Sequence, residues 1–312
     1  MISMRYHIVS LAAVFLALAL GIVLGATKVS SPILAGLQTD KTSLTAEKDQ
    51  LAAQNTALSG RVGGDDKFAG AVGNLAVRGT LPNASVVVVT TADADPGDRD
   101  AVLSLLSRAG AKVTAQVQVT DQFADPAHAA DLRTLAARVL PTGAQLPDTP
   151  SAGATGGALL ASVLLTDKSG KTTVKADQAT AALSALASGG FLQASGSVTP
   201  GRLVVVVTGG AATGGSEADK AGAIAAMATQ LKSAAGGVVV AGRQGSDQGT
   251  GAVGVIRSDT AQSAAVSTVD NVDTATGRLA TVLALVEQNG GGIGRYGFAS
   301  NAQAQIPTLG VS

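Results

Sequence analysis

The sequence predicts an α/β protein that follows an N-terminal transmembrane helix and a short coiled-coil stalk. Three observations support this: an uncharged apolar run over residues 8–25, leucines that recur every seven residues, and short valine runs that each precede a loop and a helical pattern. We divide the chain into a transmembrane signal-anchor helix (1–28), a coiled-coil stalk (31–60), a linker (61–83), an α/β region (84–289) and a glycine-rich tail (290–312).

The composition limits the classes of function. The 312 residues suffice for one large domain or two ordinary domains. Aromatic residues make up 2% of the chain, so the core must be built from small aliphatic side chains. Basic and acidic residues balance at 22 each, without a basic stripe, which argues against a nucleic-acid partner. The chain has no cysteine, which excludes disulfides, thiolate nucleophiles and iron–sulfur clusters.

The apolar run from Ile8 to Gly25 predicts a membrane anchor. With flanking residues the helix has about 18–22 residues, roughly 27–33 Å long, which matches the hydrocarbon core of a bilayer. The alternatives are a cleaved secretory signal and a buried helix of a soluble protein. Arg5 before the run favours a cytoplasmic N-terminus and an exported C-terminal region, whereas Lys28 just after it opposes that orientation.

The stalk is predicted from leucines at intervals of seven. Leu37, Leu44, Leu51 and Leu58 fit the d positions of a coiled coil, and Leu34 begins the a positions. The later a positions are polar, which lowers stability and can specify a dimer. We expect a weak, parallel, self-associating stalk; the alternative is an amphipathic helix packed on the globular region. Gly60 to Asp66 are predicted to end the helix.

Two stretches of the exported region predict βαβ units, near 86–119 and 203–241. Each has a valine-rich run, a polar loop, a helical pattern, a glycine and a second strand. Continuous valine runs are typical of parallel strands buried on both faces. We expect a Rossmann-like or flavodoxin-like layered region, with the two units as candidates for an internal duplication.

The rest of the region is assigned by pattern. We predict helices at 126–140 and 176–188, strands at 159–165 and 252–256, a helix or strand at 277–287, and loop structure at 141–157 and from Asn289 onward.

The sharpest local motif is the glycine-rich loop from Gly209 to Ser216, which lies between a predicted strand and a predicted helix. Gly215 occupies the place where a nucleotide-binding P-loop needs lysine, so the motif argues against an NTPase. Its backbone amides offer an anion cradle, but a turn that needs glycine for geometry explains the motif better.

Two other clusters have chemical and structural explanations. Asp125 and Asp131 flank His128, and an acidic helix cap explains them without catalysis or a metal. Asp270 and Asp273 offer oxygens for a hard cation, but Asx turns and helix capping explain them better, without a ligand. From the sequence we therefore assign no catalytic, cofactor-binding or metal-binding residue, and we expect that the protein is not an enzyme.

Several segments, taken in their order along the chain, resemble the MctB copper-transport protein family. They are Met1-Ile2-Ser3, Arg5, His7, Ser10, residues 12–18, Gly21, Gly25, the run Val-Val-Val-Thr-Gly-Gly at 205–210, Ala241-Gly242-Arg243, Ser267-Thr268-Val269-Asp270 and Gly294-Arg295-Tyr296-Gly297. The resemblance extends through the predicted stalk and covers nearly the whole chain. It implies a role in copper homeostasis, through efflux or transport, with outer-membrane and channel-forming character in bacteria that have a mycolate envelope.

The chain offers few of the side chains that copper prefers. Copper is bound by Cys or Met sulfur and by His imidazole, and the chain has Met1, Met4, Met227, His7 and His128 alone. Copper is therefore expected as a transported ion and not as a cofactor. The expected partners are the lipid bilayer and further copies of the chain, joined by the stalk. The competing interpretation is a structural or partner-binding envelope protein without copper chemistry.

Overall fold

The computed structural model describes residues 4–148, 151–167, 169–172 and 174–308; for residues 26–34 it describes the backbone alone. The chain divides into two units, residues 1–64 and 65–312. Each unit is described by itself.

The described residues of the first unit all belong to helix α1 (Met4–Ala76). The last part of this helix, from residue 65 onward, belongs to the second unit. Among the described residues, one helical segment, Met4–Gly25, is long and apolar enough to cross a membrane. Its large apolar side chains are all exposed, as is typical of a helix that lies in lipid. Leu37, Leu44, Leu51 and Leu58 are also exposed, and their coiled-coil pairing stays a prediction.

The predicted end of this helix at Gly60 to Asp66 is wrong, because α1 continues to Ala76. Glycine costs a helix about 1 kcal/mol relative to alanine, so Gly60, Gly63 and Gly64 weaken the helix without ending it. A Cβ atom on Gly70 would lie 3.6 Å from Ala275, and one on Gly73 would lie 3.7 Å from Leu279. Both distances are ordinary van der Waals separations, so the end of α1 packs on the helix Ala275–Asn289 within the second unit. Val77, just after α1, is fully buried, so the predicted linker is partly core.

The second unit combines one sheet with helices on both faces. Its strands are β1 (Ser85–Thr90), β2 (Lys112–Val119), β3 (Leu192–Ser195), β4 (Leu203–Val207), β5 (Gly237–Ala241), β6 (Ser267–Val269) and β7 (Arg295–Tyr296). Its further helices are α2 (Pro96–Arg108), α3 (Asp121–Ala124), α4 (Ala129–Val139), α5 (Ala152–Leu164), α6 (Ala176–Ser188), α7 (Glu217–Ala234), α8 (Ala252–Ser258), α9 (Thr260–Ser263) and α10 (Ala275–Asn289), with a 3₁₀ turn at Pro126–His128.

The described strands form a seven-stranded sheet in the order β3-β2-β1-β4-β5-β6-β7. All neighbouring pairs are parallel except β2 and β3. Both predicted βαβ units are therefore confirmed as strand–helix–strand segments with parallel strands. Their common origin by duplication stays a prediction.

Alternate side chains of each strand enter two separate cores. Val87 and Val89 of β1 pack under α3 to α8, whereas Val86 and Val88 pack under α2 and α10. β-branched residues suit strands of this kind, because both faces of the pleated sheet are covered. The mixed α/β class predicted from the valine runs is confirmed.

Two predicted strands are wrong. Residues 159–164 belong to helix α5, which begins at Ala152 and so also replaces part of the predicted loop before Gly157; Leu165 alone is extended and forms a single bridge with Gly201. Residues 252–256 form helix α8. Helix α5 is buried nearly all round by α4, α6 and α7, and a helix covered on all sides is apolar on all sides. Short apolar runs of this kind do not distinguish a buried helix from a buried strand.

The other helices and loops predicted from the sequence agree more closely with the structure. The helix at 176–188 is confirmed, the one at 126–140 appears as a 3₁₀ turn followed by α4, and the segment at 277–287 is helical. The tail predicted to be loop contains the short strand β7, which pairs with β6.

Candidate functional site

The strand order reverses between β1 and β4. The chain leaves β1 for β2 on one side and leaves β4 for β5 on the other, while β1 and β4 themselves are parallel neighbours. Open α/β sheets bind ligands outside the carboxyl ends of the strands at such a reversal. The loop after β1 and the glycine-rich loop after β4 therefore border the candidate functional site.

A crevice of about 90 Å³ lies at this point. Its walls carry Thr91 and Asp93 after β1, Thr208 after β4, and Glu217 and Lys220 in the first turn of α7. Most of these polar groups are already paired: Thr91 donates a hydrogen bond to Asp93, and the Lys220 ammonium lies 3.1 Å from the Glu217 carboxylate. The crevice also has apolar walls, formed in part by Val119 and Ile224, and has room for several water molecules.

Lys220 remains an ammonium group in this setting. Its hydrogen bond to Glu217 raises the pKa of Lys220, and the charges of Asp121 and Asp125 act in the same direction. A metal ligand must offer a free lone pair, which a protonated amine lacks. Lys220 is therefore suited to balance the neighbouring carboxylates, not to coordinate copper.

The glycine-rich loop lies where the sequence predicts, between a strand and a helix. A side chain on Gly209 would collide with the Asp93 carboxylate, and a Cβ on Gly210 would lie 2.9 Å from the carbonyl oxygen of Gln244. These approaches explain the glycines by geometry. Ser216, which precedes α7, makes no side-chain capping hydrogen bond.

A charged cluster lies at the carboxyl ends of the strands under α2 and α10. Asp98 is 3% exposed, and its two carboxylate oxygens contact Arg243 at 3.1 Å and Arg278 at 3.3 Å. Arg243 also lies 3.4 Å from Asp95, and Asp273 accepts a hydrogen bond from the Gln244 amide. One buried carboxylate thus ties α2 to α10 and to the loop after β5. Burial raises the pKa of Asp98, and the two arginines oppose that rise.

This pKa predicts the direction of a pH effect on stability. Because folding raises the pKa of Asp98 above its ordinary value of 3.8, the folded chain keeps a proton that the unfolded chain has lost. The contribution of Asp98 to the free energy of unfolding therefore falls as the pH rises from 3.8 to the folded pKa, and then levels off. We expect urea unfolding at several pH values to show this fall for the native chain and not for Asp98→Asn. Identical pH slopes for the two proteins would contradict the assignment.

Asp270 and Asp273, considered as a cation site, have separate structural partners. Asp270 is 3% exposed, lies 2.7 Å from the Arg257 guanidinium, and accepts a hydrogen bond from the Phe298 amide at 2.8 Å. Arg257 also donates to the carbonyl oxygen of Tyr296 at 2.7 Å. The buried pair therefore fastens the C-terminal segment to the edge of the sheet.

His128 ends the 3₁₀ turn, and its Nδ1 lies 3.7 Å from an exposed Asp131 carboxylate. Asp125 accepts a hydrogen bond from the Ala127 amide, which is the cap that the sequence suggests. The three side chains do not form a metal cage.

The methionine side chains, whose sulfur atoms are suitable copper ligands, lie far apart in the chain. Met227 is buried in α7 next to the backbone of Gly157, whereas Met4 is exposed at the start of α1. Met1 lies outside the described residues. Within the described ranges, no group of three or more His, Cys, Asp or Glu residues is placed to hold a metal ion.

Sequence reasoning missed the polar residues that the strand ends bring together. Asp93 is far in the sequence from Glu217 and Lys220, and Asp98 is far from Arg243 and Arg278. The available signal was the position of each first polar residue after a valine run, because parallel strands end at one edge. Arg257 was missed because residues 252–256, just before it, were assigned to a strand and not to helix α8.

Comparison with known proteins adds a family. A family model described as "Copper transport outer membrane protein, MctB" matches residues 1–307. The chain is 38% identical over 311 residues to the copper transporter MctB of Mycobacterium tuberculosis (strain ATCC 25618 / H37Rv) and, equally, to that of Mycobacterium bovis (strain ATCC BAA-935 / AF2122/97). These matches cover 97% of this chain and 98% of each relative. The copper transporter MctB of Mycobacterium leprae (strain TN) is 35% identical over 312 residues, with the same coverage. Together with the apolar helix, these matches support membrane association, and the chain belongs to the MctB family of copper transport outer membrane proteins.

Proposed function

We propose that this chain is a membrane-anchored envelope protein of copper homeostasis that contributes to copper efflux or transport. The observation that carries the proposal is the full-length relationship to proteins named copper transporters, together with the apolar segment Met4–Gly25. Copper is the cargo in this proposal and not a resident cofactor.

The scarcity of suitable ligands restricts how copper would move. Soft sulfur and imidazole donors select copper, whereas the crevice between β1 and β4 presents carboxylates, hydroxyls and a protonated amine. One membrane-spanning helix cannot enclose a pore. We therefore propose that passage depends on an assembly of several chains, as a channel component, or on another protein.

The proposal includes a specific arrangement in the envelope. Residues 1–28 would remain as an uncleaved anchor, residues 31–60 would associate as a coiled coil, and the C-terminal unit would lie outside the cytoplasm as a Rossmann-like domain. Its partners would be the lipid bilayer and further copies of the chain, without nucleic acid and without an enzymatic reaction.

A second candidate function is a partner-binding envelope protein without direct copper chemistry. The scattered Met and His residues favour it, as do the exposed leucines of α1, which offer a surface for another helix. Stable co-purification of one envelope protein, together with unchanged copper tolerance in a strain that lacks this chain, would support the second function over the first.

The anchor provides a direct test of the first function. In a strain that lacks the gene, we expect the full chain to restore growth in elevated copper and a chain without residues 1–28 to fail, because the soluble form no longer concentrates at the membrane. The matched control attaches an unrelated transmembrane helix to residues 29–312. Full restoration by the chain without its anchor would contradict a role at the membrane.

A further inference from the structure

One face of α1 carries a regular apolar row. Leu37, Leu44, Leu51 and Leu58 are between 57% and 65% exposed, and each lies seven residues from the next. Val62, four residues after the last leucine, is 62% exposed. Because α1 continues through Gly60, Val62 occupies the next a position of the same heptad pattern. The row therefore extends beyond the predicted stalk.

Two a positions carry a lysine, and each of these lysines follows an acidic residue at the g position. Lys41 and Lys48 occupy two a positions, and each is preceded at the g position by an acid, Asp40 or Glu47. The next a position, Asn55, is neutral, and so is the Gln54 before it. Each of the two lysines at a is thus preceded by an acid, whereas the neutral a positions Asn55 and Val62 are preceded by Gln54 and Arg61, neither of which is acidic.

We propose that a second copy of this chain covers this face, parallel and in register, with Lys41 paired to Asp40 of the other copy and Lys48 paired to Glu47 of the other copy. The inference rests on the self-association included in the proposed function. It adds the register of the two helices and the residues that determine the register and the parallel orientation.

Knobs-into-holes packing explains the choice of a parallel pair. In a parallel coiled coil, each a side chain enters a hole whose border includes the g residue before the equivalent a position. Both lysines then meet a carboxylate. In an antiparallel pair, residues at the e positions border the hole instead, and Gln38, Thr45 and Ala52 carry no charge. The lysines would then be unpaired next to leucines.

Register follows from the same residues. In register, both lysines are paired and Asn55 faces Asn55 of the other copy, where amide groups can hydrogen-bond. A shift of one heptad leaves Lys41 without an acid and places Asn55 beside Glu47. A common membrane anchor adds to the preference, because it imposes a parallel orientation and raises the local concentration.

The absence of cysteine makes cross-linking a clean test. The full chain in membrane vesicles would carry either Leu51→Cys, at a d position, or Ala53→Cys, at the f position on the opposite side of the helix. With a short bis-maleimide, we expect cross-linked dimers from Leu51→Cys and at least about tenfold less from Ala53→Cys, because only d residues face each other across the seam.

A charge exchange tests the pairs that determine register. In the Leu51→Cys chain, we introduce Asp40→Lys together with Glu47→Lys. The cross-linked yield is expected to fall at least about tenfold, because the lysines at the a positions then meet lysines at the g positions of the other copy. Adding Lys41→Asp and Lys48→Glu restores opposite charges and is expected to restore the yield. This restoration also shows that the reversed chain still folds.

Failure of this inference differs from failure of the wider proposal. Dimers that form equally at both cysteines, or that ignore charge reversal, would overturn the parallel, in-register pairing and leave self-association intact. A chain that does not cross-link at either position, and that has the mass of a monomer in nanodiscs, would overturn both. A specific complex of the stalk with a different protein would also overturn the inference.

Discussion

Replacing Asp270 by asparagine is expected to lower the free energy of unfolding by about 3–5 kcal/mol. Asp270 and Arg257 form an ion pair in which both side chains are at most 3% exposed. The substitution leaves the arginine charge buried without its partner, and it weakens the hydrogen bonds from the Phe298 and Ala299 amides. Since domains are stable by about 5–15 kcal/mol, the loss is a large fraction of the total.

Urea unfolding of the full chain in nanodiscs, followed by circular dichroism, would measure this loss. The matched control is Asp219→Asn, which removes an exposed carboxylate from α7. A double-mutant cycle with Arg257→Met isolates the pairwise energy from the cost of each single substitution. If Asp270→Asn lowers the free energy of unfolding by less than about 1 kcal/mol, the pair is solvated, because ion pairs on the surface contribute energies of that size.

Alanine at Gly153 is expected to destabilise the chain by about 1–3 kcal/mol or more, although alanine is the better helix former. Helix α5 crosses α7 at very short range, and a Cβ on Gly153 would collide with the carbonyl group of Ala223. A Cβ on Gly157, one turn later, would lie 2.8 Å from the Cα of Met227, which is also too close. Small residues are therefore required along this face of α5.

Gly222 on α7 provides the matched control. It is also a helical glycine, but nothing lies within 4 Å of the position of its Cβ. Gly222→Ala is expected to stabilise the chain by about 0.5–1 kcal/mol, through helix propensity alone. Shifts of the same sign for both substitutions in urea unfolding would contradict the close packing of α5 on α7.

Composition and periodicity predicted much of the architecture. The uncharged run after His7 predicted the membrane-type helix, and the valine runs predicted four parallel strands with two intervening helices. These signals succeed because a buried strand needs β-branched side chains on both faces and a spanning helix needs length without charge.

The errors have a common physical origin in tertiary packing. Residues 159–165 look like a strand because α5 is apolar on every side, and only its burial among three other helices explains that composition. The glycines after Leu58 look like a helix end, whereas α1 continues to Ala76, and its last residues, among them Gly70 and Gly73, pack on α10. Local patterns do not reveal which neighbour will approach.

The candidate site depends even more on topology. Asp93 and Lys220 become neighbours only because β1 and β4 are adjacent, a pairing between strands more than 100 residues apart in the chain. The glycine-rich loop was the one part of the crevice visible in advance. The Asp98 cluster required knowledge that β1 and β5 lie on either side of β4, so that the segments after these two strands meet.

The copper content of cells tests the central claim most directly. Elemental analysis would compare a strain that lacks this chain with its parent and with the complemented strain, all grown in elevated copper. The account predicts that copper accumulates without the chain and returns to the parental level when the full chain is restored. Equal copper content in all three strains would contradict a role in copper transport and favour an envelope protein that binds a partner.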